Sequence, residues 1–286
     1  MEKCNFNDVK ACLKKHKPDS HKGENGCVLV IGGCEDYVSA PALSASSALR
    51  SGIDLIVVAA PEKAAYAINS FSIDFITKKL EGKYLNLKHV DMLLDFSKDF
   101  DVVLIGPGLG KRAETKAFIN EFVAGCEVPI VIDADAIQQI EKQNIKGLLC
   151  PHAREFEMCF GKYPAEEIEK RINDVRNAAE KFACTVLLKG RTDVISDGSR
   201  VKINDTGNVG MTVGGTGDIL SGLCAGFIAQ GGSYFEAACA AAYINGLIGD
   251  FLQKRHGFGF VSSDFINLIP KAIFKHEEFI KEGKQC

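Results

Sequence analysis

Six short apolar runs, separated by longer stretches with helical periodicity, constrain the fold of this chain more than any other feature. Each run is rich in β-branched residues and continuous rather than alternating, which is typical of strands buried on both faces of a parallel sheet. The runs occupy residues 27–32, 55–60, 101–106, 129–133, 147–150 and 185–190. Their alternation with helical segments predicts an α/β fold, with a mainly parallel, doubly wound sheet flanked by helices.

Local signals place helices between and after these strands. Pro41 suits the first turn of a helix, and Gly52 suits the position just past its end. Two short strands within residues 193–203 flank Asp197 and Gly198, which predicts a hairpin at the edge of the sheet. Further helices are predicted near residues 112–124, 164–182, 235–253 and 264–280.

The composition excludes several classes of protein. Lysine and arginine total 34 and aspartate and glutamate total 37, so the formal net charge is −3. A chain this close to neutral has no positive field to attract the phosphate backbone, so a nucleic-acid partner is not expected. No uncharged stretch keeps its apolar character over the roughly 20 residues that a membrane span needs. Residues 1–25 form a polar, lysine-rich lead without the apolar core of a secretory signal. Residues 26–286 are expected to form a single domain.

The cysteines point to a compartment rather than to a site. There are 11 of them, an odd number, and no pair has the CxxC spacing, so neither a zinc site nor a disulfide framework is supported. Most lie in apolar runs, as Cys150 and Cys239 do, where cysteine behaves as a small hydrophobic residue. We therefore expect a reducing, cytoplasmic location.

Glycines and polar residues follow five of the predicted strands. Ligands of open parallel sheets bind beyond the carboxyl ends of the strands. A single glycine after a strand usually marks only a turn, but five decorated strand ends predict one shared cleft. The segments are Gly32-Gly33, GPGLG at 106–110, DAD at 133–135, PHARE at 151–155 and KGRTD at 189–193.

The segment 206–230 carries the sharpest signal. Helical spacing of apolar residues begins at Ile219, so a helix is predicted to start near Asp218, directly after Gly214-Gly215-Thr216-Gly217. Glycines let backbone amides converge, and a helix N-terminus adds positive potential, which together predict an anion site. We expect Gly217 to need a positive φ. The motif is not a Walker A loop, because no Lys-Ser/Thr pair follows the glycines.

Two interpretations of Asp218 stay open at this point. It is either a catalytic carboxylate beside the anion site or only the N-cap of the helix, where aspartate is favoured. Small residues on the opposite side of this helix predict close approach of a neighbouring backbone. They are Ser221, Gly222, Ala225 and Gly226.

The stretch GGTGDILSG resembles the anion-hole and catalytic-base motif of the ribokinase-like superfamily. Within that superfamily the chain is similar to the ADP- or ATP-dependent NAD(P)H-hydrate dehydratases, over about residues 24 to 270. The resemblance implies a ribokinase-like fold. Six motifs carry it, in the order of the family: VLVIGG…YVSAPALSASSALRSG, VVLIGPGLG, PIVIDADAI, LLCPHAREF, LLKGRTDVI and TGNVGMTVGGTGDILSG.

The resemblance implies the repair of a hydrated nicotinamide cofactor. The terminal phosphoryl group of ADP or ATP would pass to the ring hydroxyl of (6S)-NADH hydrate (NADHX) or (6S)-NADPH hydrate (NADPHX). Phosphate would then leave, yielding NAD(P)H with AMP or ADP. Mg²⁺ would bridge the phosphate oxygens. A homotetramer is also implied. Only about 25 residues precede the first strand, so we expect a separate epimerase to act in the same pathway.

The resemblance also assigns residues to the two ligands. Asp218 would be the catalytic base, and the amides of Gly215 to Gly217 the anion hole. Glu155 would bind the metal through water or merely favour a helix start as an acid of the first turn, and no direct metal ligand is expected. The hydrate would contact Ala40, Gly108, His152 and Asp218, and the nucleotide would contact Lys189, Gly190, Arg191, Thr192, Asp193 and Gly217.

The residues alone leave a packing role open for Ala40 and a turn for Gly108. His152, directly after Pro151 at a strand end, favours a ligand contact over a core position. Lys189 ends a buried strand, where a lysine is costly unless it is paired, so a phosphate or carboxylate partner is expected.

Three positions depart from the family pattern, which commonly has Thr at 193, Gly at 39 and Pro at 209. This chain has Asp193, Ser39 and Val209. A carboxylate at 193 would repel phosphate unless a metal or Arg191 intervenes. Two other functions stay open. A ribokinase-like kinase for a sugar, thiazole or pyridoxal-type alcohol would use the same chemistry. A non-catalytic nucleotide sensor would be expected to lack Asp218.

Overall fold

In the computed structural model, which describes residues 1–285, the chain is built on one sheet; Cys286 lies outside the described residues. The strands are β1 (Cys27–Ile31), β2 (Leu55–Pro61), β3 (Ile76–Leu80), β4 (Val102–Ile105), β5 (Ile130–Ile132), β6 (Leu148–Leu149), β7 (Thr185–Leu188), β8 (Asp193–Ser196) and β9 (Val201–Asn204). Their order is β3-β2-β1-β4-β5-β6-β7-β8-β9. Pairing is parallel from β3 to β7 and antiparallel for β7–β8 and β8–β9. All six predicted strands, the edge hairpin and the mainly parallel α/β sheet are confirmed.

Helices cover both faces of this sheet. They are α1 (Phe6–Cys12), α2 (Ser39–Arg50), α3 (Glu62–Phe71), α4 (Val90–Ser97), α5 (Ala113–Gly125), α6 (Asp135–Gln139), α7 (Ala153–Phe160), α8 (Ile168–Phe182), α9 (Thr216–Ala229), α10 (Tyr234–His256), α11 (Ser263–Ile266), α12 (Ile269–Phe274) and α13 (His276–Gln285). Side chains of each strand alternate between the two faces. In β1, Val28 and Val30 join the core under α2, α9 and α10, whereas Leu29 and Ile31 join the core on the α5 side.

The predicted helix near 264–280 is wrong in detail, because three short helices occupy that segment. Pro270 stands in the first turn of α12, where its missing N–H costs nothing, and the helix before it has already ended. Helix α2 has the predicted start and end, and Gly52 follows its C-cap with φ of 110°.

The N-terminal segment contains a helix that the sequence analysis did not predict. Asn5 caps α1, and its capping box with Asp8 is complete. Val9 and Cys12 are buried by the helix, which packs against α10. Lys3 extends the contact by a parallel bridge to Ile203 in β9.

Helices α2 and α9 pack closely enough to require glycine. A Cβ built at Gly222 would lie 2.0 Å from the hydroxyl of Ser47, and one at Gly226 would lie 2.1 Å from that of Ser51. The predicted close approach on this side of α9 is therefore confirmed. It holds α2 beside the start of α9, and both helices contribute to the site described next.

Two negative findings apply to residues 1–285. No helix there combines the length and the apolar character that a bilayer crossing requires. No group of three or more histidine, cysteine, aspartate or glutamate side chains in this part of the chain is arranged to hold a metal ion.

Candidate active site

The polar ends of the central strands meet at one edge of the sheet. The amide of Gly33 donates to the carbonyl of Pro107 at 2.9 Å, which joins the ends of β1 and β4. Gly106 approaches β5 so closely that a Cβ there would lie 1.8 Å from the carbonyl oxygen of Asp133. The amide of Lys189 donates to the carbonyl of Pro151 at 2.8 Å, which joins the ends of β6 and β7. The five decorated strand ends therefore share one edge, as the parallel topology predicts.

Helix α9 begins at Thr216, two residues before the predicted start. Gly215 is the N-cap, and Asp218 is the third residue of the helix, so the interpretation of Asp218 as only an N-cap is wrong. The first amides of a helix have no partner within it, and here they follow a glycine loop. The carboxylate of Asp218 accepts no hydrogen bond from residues 1–285. It is therefore free to bind or deprotonate a ligand.

Gly215, rather than Gly217, is the glycine that the loop geometry requires. Its φ is 97°, and a Cβ there would lie 2.4 Å from the hydroxyl of Ser262 and 2.7 Å from Cδ1 of Leu43. Gly217 has a helical backbone, so the expected positive φ is wrong. A Cβ at Gly217 would lie 3.5 Å from Nζ of Lys189. The absence of a side chain at Gly217 keeps space open beside that lysine.

Lys189 lies between two buried carboxylates. Its Nζ is 2.8 Å from Oδ1 of Asp133 and 3.9 Å from Oε2 of Glu155. Burial by itself would lower the pKa of Lys189, but the charges of Asp133 and Glu155 raise it above its ordinary value. The lysine is therefore a permanent cation, with a carboxylate partner as the sequence predicted.

Burial and the charges of this cluster shift the pKa of Asp218. Burial raises the pKa of Asp218 to about 7, the charges of Asp133, Asp135 and Glu155 add to the shift, and Lys189 opposes it. A carboxyl group that titrates near neutral pH is matched to general base catalysis.

His152 and Glu155 form a reciprocal cap at the start of α7. Nδ1 of His152 accepts from the amide of Glu155 at 3.2 Å, and Oε2 of Glu155 accepts from the amide of His152 at 2.9 Å. The side chain of His152 is 51% exposed, so it lies outside the core. Glu155 has the first-turn position that the sequence analysis allowed, and its carboxylate also faces Lys189.

Ala40 and Gly108 lie together on the other side of the edge, beside Tyr37. Ala40 is in the first turn of α2. Gly108 has a φ of 67°, and a Cβ there would lie 3.0 Å from Cβ of Tyr37 and 3.4 Å from Pro41. The side chain of Tyr37 is 57% exposed at this point. Tyr37 lies within a quoted motif, yet the sequence analysis did not select it.

The KGRTD segment forms the connection between β7 and β8. Gly190 and Arg191 are exposed, and Thr192 is half-buried. Asp193 faces the protein: its Oδ1 accepts from the amide of Gly190 at 2.9 Å, and its Oδ2 accepts from Nδ2 of Asn204 at 3.0 Å.

The other two departures from the family pattern cause no strain. Ser39 is the exposed first residue of α2, and no positive φ occurs at this position. Val209 is 70% exposed at the start of a 3₁₀ turn over Val209–Thr212.

Besides Tyr37, three further residues of the site were not predicted from the sequence. Asp133 lies in the quoted DAD segment, and its position at a strand end was the signal. Arg171 donates from α8 to the carbonyl of Lys189 at 3.2 Å, and Asn204 ends β9. Neither has a local pattern that would distinguish it from an ordinary helix or strand residue.

Comparison with known proteins agrees with this geometry. The family profile described as NAD(P)H-hydrate dehydratase matches residues 28–271. The chain belongs to this family. A bifunctional NAD(P)H-hydrate repair enzyme of Pyrobaculum aerophilum is 45% identical over 91% of the chain and 53% of its own length. An ADP-dependent (S)-NAD(P)H-hydrate dehydratase of Cenarchaeum symbiosum is 41% identical over 93% of the chain and 94% of its own length.

Solved structures identify the fold of this NAD(P)H-hydrate dehydratase family member as ribokinase-like. A ribokinase-like superfamily protein of Enterococcus faecalis superposes with a TM-score of 0.82 at 25% identity, over 96% of both chains. The ADP/ATP-dependent NAD(P)H-hydrate dehydratase of Bacillus subtilis, co-crystallised with ATP and Mg²⁺, has a TM-score of 0.80 at 23% identity, over 96% of this chain and 98% of its own. The chain spans about half the length of the first curated relatives it matches. The matched regions make up 53%, 52% and 56% of the lengths of three of them.

Proposed function

We propose that this chain catalyses the nucleotide-dependent dehydration of (6S)-NAD(P)H hydrate to NAD(P)H, with release of phosphate and of AMP or ADP. The observation that carries the proposal is Asp218, a carboxyl group with a pKa of about 7, beside a glycine-flanked helix N-terminus and a buried lysine. Membership of the family and the Cenarchaeum symbiosum relative, matched over 94% of its length, support the same reaction.

The first step is phosphoryl transfer. Asp218 accepts the proton of the ring hydroxyl as the hydroxyl oxygen bonds to the terminal phosphorus of ADP or ATP. The bond between that phosphorus and its bridging oxygen breaks, and AMP or ADP leaves. The amides from Gly215 to Gly217, together with the cation of Lys189, face the negative charge that develops on the transferred group.

The second step is elimination. The ring nitrogen supplies an electron pair that expels phosphate from the adjacent carbon, and the departing phosphate takes a proton from the next ring carbon, which restores the double bond. The hydrate side consists of Ala40, Gly108 and His152 with Asp218. The nucleotide side consists of the loop from Lys189 to Thr192 with Gly217. We keep Asp193 on the nucleotide side as a residue of that loop.

Mg²⁺ fits the donor set only in part. Asp133 and Glu155 offer carboxylate oxygens, which Mg²⁺ prefers, but Lys189 already neutralises much of their charge. Residues 1–285 therefore suit an ion held mainly by the nucleotide phosphates, with Glu155 as a contact through water. The ion would neutralise charge on those phosphates.

The reaction is tested by incubation with NADH hydrate or NADPH hydrate, Mg²⁺ and either ADP or ATP. Absorbance near the NADH band and free phosphate are measured in one assay. We expect equal amounts of phosphate, shorter nucleotide and restored NAD(P)H, with no accumulating phosphoester. Phosphate without absorbance recovery would overturn the proposal. A stable phosphoester formed only from a sugar, thiazole or pyridoxal-type alcohol would establish the kinase instead.

Three further proposals concern the cellular location, a second repair activity and the oligomeric state. The ten described cysteines are free and buried, which supports a reducing cytoplasm. The word bifunctional in the names of the longer relatives supports a second repair activity in the same pathway, for which we propose an epimerase. A homotetramer is proposed from the family resemblance, and sedimentation of the purified chain tests it.

A further inference from the structure

Two loops border the nucleotide side, and they come from distant parts of the chain. The first runs from Lys189 to Thr192, and the second runs from Thr206 to Gly215, ahead of α9. Both must keep their backbone in place if they are to bind phosphate groups with the accuracy that phosphoryl transfer needs. Asp193 and Asn204 form a polar connection between them.

Asp193 binds the first loop by a hydrogen bond and connects this loop to Asn204. Its carboxylate accepts from the amide of Gly190 and, on the other oxygen, from the side-chain amide of Asn204. Burial raises the pKa of Asp193 to about 6, although these two donors and the charges of Lys189 and Arg171 lower it. Arg171 supports the same loop through its bond to the carbonyl of Lys189.

Asn204 connects Asp193 to the second loop through hydrogen bonds with Thr206. It is 2% exposed, and its Nδ2 also donates to the carbonyls of Thr206 at 3.3 Å and Ala242 at 3.2 Å. Its Oδ1 accepts from the hydroxyl of Thr206 at 2.8 Å. Each polar atom of the Asn204 side chain is thereby occupied, so the residue cannot turn without breaking several bonds.

One face of α10 supports the second loop. A Cβ at Gly246 would lie 2.2 Å from the hydroxyl of Thr206, and one at Gly249 would lie 2.4 Å from Sδ of Met211. Asp250, directly after Gly249, accepts from the amide of Gly207 at 3.0 Å and from the side chain of Asn208 at 3.1 Å. The glycines of α10 therefore let the loop lie directly on the helix.

We propose that Asp193 is a positioning residue, which acts with Asn204 to fix the loop from Lys189 to Thr192 against the second nucleotide loop, instead of contacting the nucleotide through its own side chain. This inference rests on the proposed function. It resolves the repulsion that a carboxylate beside phosphate would cause, because both oxygens of Asp193 are turned to donors within the protein.

A carboxylate fits both donors at this position. Gly190 and Asn204 both present N–H donors, and the carboxylate of Asp193 offers a separate acceptor oxygen to each. In Asp193→Asn, one of the two donors faces an amide NH₂ and loses its acceptor. The same substitution removes a buried charge, which offsets part of the lost hydrogen bonding in the free energy of unfolding. The variant should therefore fold, with a displaced loop.

The test compares Asp193→Asn with the matched control Asp205→Asn. Asp205 is the neighbour of Asn204, and its side chain is 48% exposed and paired with Lys3 on the surface. Titration calorimetry with Mg-ADP and Mg-ATP gives the nucleotide Kd, and turnover gives KM and kcat. We expect Asp193→Asn to raise Kd and KM about tenfold. We expect kcat to stay within about threefold of wild type and Asp205→Asn to change none of the three.

An unchanged Kd in folded Asp193→Asn would overturn the inference, and so would a loss confined to kcat. If Asp193→Asn does not fold, Thr206→Val decides the question by removing the hydroxyl that Asn204 accepts from, and we expect a Kd raised about threefold. An unchanged Kd in Thr206→Val would then overturn the inference. A wild-type chain that binds nucleotide without dehydrating the hydrate would overturn the proposed reaction and leave this test decisive.

Discussion

Two partly buried lysines of this chain each lie between two carboxylates, and we assign them different roles. Nζ of Lys189 lies 2.8 Å from Asp133, with a second carboxylate at 3.9 Å. Nζ of Lys202 lies 2.8 Å from Asp8, with a second carboxylate at 2.7 Å. Burial would lower the pKa of each lysine, and its carboxylates raise it instead. A lysine between two carboxylates therefore does not by itself indicate a functional site.

The difference lies in the third carboxylate of each cluster. Near Lys202 it is Glu236, which accepts from Ser233 in the cap of α10, and this hydrogen bonding lowers the pKa of Glu236. Near Lys189 it is Asp218, which has no such donor and whose pKa burial raises to about 7. The first cluster ties the N-terminal segment to β9. The second keeps one carboxylate without a hydrogen-bond donor in the first turn of α9.

The sharpest test of this contrast is Asp218→Asn. Asparagine keeps the size of the side chain but cannot take the hydroxyl proton, so we expect turnover to fall about 10² to 10⁴-fold. The nucleotide Kd should stay within about threefold of wild type, because the amides and Lys189 remain. Single-turnover rates and calorimetry measure the two quantities. Turnover above half of the wild-type rate would remove Asp218 from the role of base.

Lys189→Met removes the cation from the cluster that contains Asp218. We expect turnover to fall about 10²-fold, because the transferred phosphoryl group loses a charge partner. Since Lys189 lowers the pKa of Asp218, the midpoint of the pH–rate profile should move upward from about 7. A profile with an unchanged midpoint would show that Lys189 does not act on Asp218.

Lys202→Met is the matched variant in the cluster that contains Asp8. It leaves the buried carboxylate of Asp8 without its cation, so we expect a loss of about 2 kcal/mol in the free energy of unfolding. For a chain of this size that is a fall of about 3 °C in Tm. Turnover and nucleotide Kd should match wild type. A loss of turnover in the folded variant would contradict a purely structural role for the N-terminal cluster.

The smallest effect concerns stability as a function of pH. The pKa of Asp218 is about 7 in the folded chain against an ordinary value of 3.8. Asp218 therefore stabilises the fold at low pH, and this contribution is lost as pH rises through 7. The Tm of Asp218→Asn relative to wild type should increase by a few degrees between about pH 4 and 7 and then level off.

The strands were predictable because each is short, apolar and bounded by glycine or polar residues. The edge strand β3 was not, since its sequence ITKKL has two lysines and little burial. Helix α1 was hidden for a similar reason. Its surroundings are polar, and contacts with α10 and α9 make Val9 and Cys12 core residues.

The residues of the site were predictable where a motif carries them, as at Asp218, Lys189 and His152. Arg171 and Asn204 were not, because each acts through a partner that is distant in the chain. Asp193 was selected for the right loop, yet the direction of its side chain depends on Asn204, and no pattern in KGRTD indicates it.

The sequence by itself determined which segments are strands, where the helix with Asp218 runs and which loops carry glycine, because these properties follow from local periodicity and backbone freedom. The tertiary structure decided which charges meet. It placed three carboxylates around Lys189, left Asp218 without a donor, and turned Asp193 inward. Electrostatic free energy depends on distance and burial between residues far apart in the chain, and these quantities exist only once the strands have assembled.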